Sequence, residues 1–68
     1  MNKAEEQELR QTLIRLKQEH RDLDSAIYAL ENTGFPDQLQ LKRLKKKKLA
    51  LRDRILELED MLNPDIIA

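Results

Sequence analysis

Between positions 42 and 48 six of seven side chains are cationic: Lys42, Arg43, Lys45, Lys46, Lys47 and Lys48. Arg52 and Arg54 follow, and Asp53 alone opposes them, so a local charge of about +7 is packed into little over three helical turns. Like charges at i,i+3 and i,i+4 repel, and here they also crowd the positive end of a helix dipole. Such a run calls for a compensating anion. Acidic side chains such as Asp22, Asp24 and Glu31, from the same chain or another copy, are one source; phosphate of nucleic acid or of lipid head groups is another. Tyr28 and Phe35 are the only aromatics available to stack on bases, and no Arg or Asn is placed to read base edges. Any nucleic-acid binding is therefore expected to be electrostatic and non-specific.

Material for catalysis is scarce. The chain has no Cys, no Gly-rich phosphate loop and a single serine, Ser25. His20 and Asp24 are i,i+4 neighbours on a helix, but Ser25 lies about 140° around the helix from His20, so the three cannot form a nucleophilic triad. His20 has no second His or Cys with which to hold a transition metal. A two-helix chain is also expected to lack the concave pocket of an active site. The expectation is no enzyme, no cofactor and no small-molecule substrate.

The elements that carry these residues follow from composition and spacing. Sixty-eight residues make one small domain. A net charge of zero with 38% charged residues, one Gly and two Pro is the pattern of long helices or coiled coil. Charge is uneven, with five basic and seven acidic residues from Met1 to Thr33 against the basic run that follows. Lack of Cys fits a reducing compartment. No apolar run approaches the roughly 20 residues that span a bilayer, and MNKAEEQELR lacks the pattern of a signal peptide; a cytoplasmic location is expected.

The spacing predicts a first helix over about 3–32, a turn over 33–37, a second helix over about 38–62 and a tail over 63–68, forming a single all-α hairpin across 1–68. Asn2 with Glu5 three residues on is a capping box, and Glu5, Glu6 and Glu8 suit the helix start. The first seam is Leu9, Leu13, Leu16, His20, Leu23, Ile27, Leu30, at alternating intervals of 4 and 3. Gly34 is placed to end it in a left-handed conformation. Pro36 holds Phe35 extended. Asp37 caps the second helix, with Gln40 positioned to complete a box. Its seam is Leu41, Leu44, Lys48, Leu51, Ile55, Leu58, Leu62, before Asn63-Pro64 stops it and Ile66 and Ile67 follow in the tail.

A short connection favours antiparallel neighbours. Facing seam positions then share one index sum: Leu30 with Leu41, Ile27 with Leu44, Leu23 with Lys48, His20 with Leu51, and so on to Leu9 with Leu62. In this register the flanking charges pair Arg10 with Glu59, Asp24 with Lys45 and Glu19 with Arg54, while Lys17 opposes Arg52. His20 packs its ring in the seam and turns a nitrogen to Asp24 or water. Lys48 lays its stem along the seam and sends its ammonium to solvent.

His20-Arg21-Asp22-Leu23-Asp24, Pro36-Asp37, Leu41-Lys42-Arg43-Leu44-Lys45-Lys46 and Leu49-Ala50-Leu51-Arg52-Asp53 together resemble the YdcH-like family of small bacterial proteins, over roughly Leu13 to Leu58. The resemblance implies a helical hairpin in a bacterial cytoplasm and assigns no biochemical function. The Lys45–Lys48 run is more basic than many members look at that point.

Outside the seam, Leu49 and Leu56 of the second helix and Ile14 and Tyr28 of the first occupy corresponding b positions. On a chain with so thin a core they suggest a second contact face. The sequence thus supports a non-catalytic structural or protein-interaction module, working as a homodimer of hairpins in a helical bundle or docked on another protein. The alternative is an accessory nucleic-acid-binding protein that uses residues 42–54, with Lys42, Arg43, Lys45, Lys46, Lys47, Lys48 and Arg52 as its anion contacts.

Overall fold

Asn2 caps the first helix by accepting a hydrogen bond from the Glu5 backbone N–H at 2.8 Å. The Glu5 carboxylate reaches back to the Asn2 side-chain amide at 3.3 Å, a variant of the reciprocal box in which the side chain, not the backbone, is the second donor. This cap opens α1 (Lys3–Glu31), and Asp37 opens α2 (Gln38–Leu62) by accepting from the backbone N–H groups of Leu39 and Gln40 at 3.0 and 3.1 Å. The computed structural model describes residues 2–63. Asn63 closes α2, its N–H donating to the Glu59 carbonyl at 2.8 Å. Met1, Pro64 and the tail isoleucines Ile66 and Ile67 lie outside the described residues.

The end of α1 departs from expectation. Gly34 does not take a left-handed φ. Two polar side chains do the capping instead: Asn32 donates from its amide to the Tyr28 carbonyl at 2.7 Å, and the Thr33 hydroxyl donates to the Leu30 carbonyl at 2.9 Å. The side chains and N–H groups of Asn32 and Thr33 together hold the Tyr28 and Leu30 carbonyls, and no described residue adopts positive φ. Phe35, at the tip of the turn, stands 98% exposed.

The two helices pack as an all-α hairpin whose extents are 50 × 25 × 15 Å. Every seam residue is at least half-buried, and the positions between are almost all exposed. The depth of 15 Å explains how modest the burial is. Each helix has one neighbour only, so most seam side chains keep one flank in water. Among the described residues Ile27, Leu41 and Ile55 are buried, and Leu58 alone is fully so at 0% exposure. His20 and Lys48, the polar members of the seam, are half-buried.

A candidate anion-binding and contact face

The charges flanking the seam define the chemically distinctive side of the hairpin. They do not pair as their spacing suggested. Lys17 reaches Glu59 at 3.3 Å, Lys45 reaches Glu31 at 3.1 Å, and Lys48 bonds Asp24. Arg10 turns to Glu6 of its own helix and Arg54 to Glu57, each at 2.8 Å, so neither crosses to the partners expected, Glu59 and Glu19. Side-chain direction explains the correction. On a helix every Cα–Cβ bond leans towards the N-terminus. In an antiparallel pair the two lean past one another, and the charges that meet lie one heptad beyond those whose Cα atoms are level. The shift also removes the expected clash of Lys17 with Arg52, since Lys17 now meets a carboxylate.

Lys48 is likewise redirected. Its stem lies in the seam, as a half-buried lysine requires, but its ammonium is held by Asp24 rather than released to solvent. That hydrogen bond and the charge behind it draw the Asp24 carboxyl below its ordinary value of 3.8, with His20 adding a smaller push in the same direction.

Pairing divides the basic run. Lys45 and Lys48 are committed to Glu31 and Asp24. Lys42, Arg43, Lys46 and Lys47 are exposed and take part in no ion pair among the described residues. Arg52 also lacks such a pair, and it sits apart from the outer lysines.

The hairpin is not flat on this side: it carries two open surface grooves. One groove of about 410 Å³ runs between the helices with Tyr28 and Leu49 on its opposite banks, His20 and Arg52 at one end, and the Glu31–Lys45 and Asp24–Lys48 pairs along it. A second groove of about 370 Å³ continues along the same face, lined by Lys17, His20, Arg21, Arg52, Ile55 and Leu56. The four apolar b residues are therefore not one continuous patch. Tyr28 (71% exposed) and Leu49 (57%) face each other across the first groove, and Leu56 borders the second. Ile14, also exposed, stands two heptads from Tyr28, about 21 Å along α1. Arg21 occupies the b position between them. The sequence reading passed over Arg21 because it followed only the apolar members of the column; the seven-residue spacing Ile14, Arg21, Tyr28 was the signal that could have found it.

Among the described residues no group of His and carboxylates is arranged to hold a metal ion, and no helix is long and apolar enough to cross a membrane. No curated protein and no solved structure matches the chain. Residues 13–59, which take in all of both seams but Leu9 and Leu62, the turn and the two grooves, match the family described as Protein of unknown function (DUF465), and the chain belongs to that family.

Proposed function

We propose that the chain is a small non-catalytic interaction module that self-associates through the first groove, with Tyr28 and Leu49 at its centre. The observation that carries this reading is the exposure of Tyr28 and Leu49 across one groove, on a hairpin in which a single side chain is fully buried among the described residues. Domains below roughly 70–80 residues seldom gain more than about 3–5 kcal/mol from one core. Covering that groove with a second copy adds apolar burial that the lone hairpin lacks, in the manner of a four-helix bundle. The motifs from His20-Arg21 to Arg52-Asp53 also support placing the chain with the YdcH-like proteins, and with the lack of Cys they support a bacterial cytoplasmic setting.

Sedimentation equilibrium of the wild type at micromolar concentration tests the reading. A dimer mass is expected, and Leu49→Lys should lower mass and melting temperature together. A monomer mass with full helicity and a concentration-independent melt would sink it.

A second reading has its own observation. Lys42, Arg43, Lys46 and Lys47 remain exposed and outside the ion pairs of the hairpin, which supports non-specific contact with a polyanion. Binding to random DNA should then weaken with salt, the log–log slope steepening by about 0.9 for each phosphate contacted. Lys46→Gln with Lys47→Gln should flatten that slope for every sequence alike, and absence of binding at low salt would remove this reading.

A further inference from the structure

We infer that the second groove is a binding site for a phosphate monoester, held between Arg21 of α1 and Arg52 of α2. The argument begins with pairing. On this side of the hairpin the flanking carboxylates Glu59, Glu31 and Asp24 are each taken by a lysine: Lys17, Lys45 and Lys48 respectively. Arg21 and Arg52 are left without an ion pair among the described residues, although they come from different helices and line one concavity. Two arginines from different helices lining one groove, with no carboxylate lining it, attract an anion. The hairpin crossing holds them together; neither helix alone would.

Charge and shape select the ligand. Two arginines supply two positive charges, which match the charge of about −1.5 to −2 on a phosphate monoester near neutral pH. A guanidinium offers a planar fork of donors that engages phosphate oxygens in pairs. His20 lines the same groove and can add a ring nitrogen as donor or acceptor. The remaining lining is Lys17, whose charge is already paired with Glu59, and the apolar Ile55 and Leu56. A free phosphate would leave that part of the groove in water, whereas an ester with a small aromatic or aliphatic body would cover it. The volume of about 370 Å³ is at the lower end of small-molecule sites. This site is separate from the outer run Lys42, Arg43, Lys46 and Lys47, which lines neither groove.

The test is titration of the full-length chain with phenyl phosphate, inorganic phosphate and benzoate, followed by calorimetry and by backbone amide shifts in NMR. Phenyl phosphate should bind several-fold more tightly than inorganic phosphate or benzoate, with shifts centred on residues 17–21 and 52–56. Arg52→Gln and Arg21→Gln should each weaken it about tenfold, as loss of a charge-assisted fork implies, and Lys46→Gln should change it less than about twofold. Arg52→Lys, which keeps the charge and the aliphatic stem, should recover only part of the loss. Circular dichroism checks that each variant remains helical, and Arg52→Lys answers the question should Arg52→Gln unfold. Equal losses from Arg52→Gln and Lys46→Gln, full affinity in Arg52→Lys, or no saturable shift up to about 10 mM ligand would each overturn the proposal.

Discussion

Replacing Leu58 by alanine tests whether the hairpin really depends on one narrow seam. Leu58 is the only side chain at 0% exposure among the described residues. The change removes about three carbons, or roughly 2 kcal/mol of transfer free energy at about 0.8 kcal/mol per methylene. A residual cavity raises the loss for buried leucines to about 2.7–5 kcal/mol. With a depth of only 15 Å the walls can close partly over the gap, so the low end, about 3 kcal/mol, is expected here. Set against a total of about 3–5 kcal/mol for a core of this size, that is most of the stability. Urea titration followed by circular dichroism at 222 nm, with both proteins at the same concentration, should show the midpoint falling by more than half. Leu56→Ala is the control, two positions away but about half exposed, and should cost under about 1 kcal/mol. A loss below about 1 kcal/mol for Leu58→Ala, or equal losses for the two variants, would refute the reasoning and place the main core elsewhere, as it would be if association between copies supplied it.

Three smaller perturbations probe the ends and the ion pairs. Gly34→Ala should stabilise the protein by about 0.4–1 kcal/mol in thermal melts, because φ at Gly34 is not positive and an added Cβ meets nothing within 4 Å; a comparable loss would mean the turn needs glycine after all. Asn2→Ala removes the acceptor for the Glu5 N–H and should cost about 1 kcal/mol, read from the same melts, with the exchange protection of the first turn lowered. Asp24 has a depressed folded-state pKa, so its pairing with Lys48 stabilises the fold above the ordinary value of 3.8 and is lost as pH falls through the folded value. Melts of wild type and Asp24→Asn should accordingly differ at pH 6 and converge as pH falls well below 3.8, whereas a gap that persists in acid would show that the pairing with Lys48 is not its cause.

The seams were legible in full because they depend on period alone. An interval of 3 or 4 puts a side chain on one stripe whatever its neighbours are, and the structure buries or half-buries every seam residue from Leu9 to Leu62. The N-terminal caps were equally readable, since Asn2 and Asp37 bond to backbone a few positions away. The end of α1 was not. Gly34 is a strong signal for a left-handed stop, but Asn32 and Thr33 satisfied the last carbonyls first, and once they had, nothing remained for the glycine to solve. Local rules rank single residues; here two competing caps sat side by side and the outcome depended on which reached the carbonyls.

The flanking charges show the larger gap between pattern and structure. Level positions in the antiparallel register paired Asp24 with Lys45 and Arg10 with Glu59, and left Lys17 against Arg52. Leaning side chains move the contacts a heptad onward, to Lys45 with Glu31 and Lys17 with Glu59. Asp24 then becomes available to Lys48, so a lysine in the seam finds a carboxylate at its end and all three flanking acids are satisfied. These exposed pairs contribute little stability. Their effect is subtraction: by removing every carboxylate from competition on this side, they leave Arg21 and Arg52 facing one groove with positive charge unspent. Side-chain lean, a property of every helix, is thus what turns a balanced charge pattern into a local site.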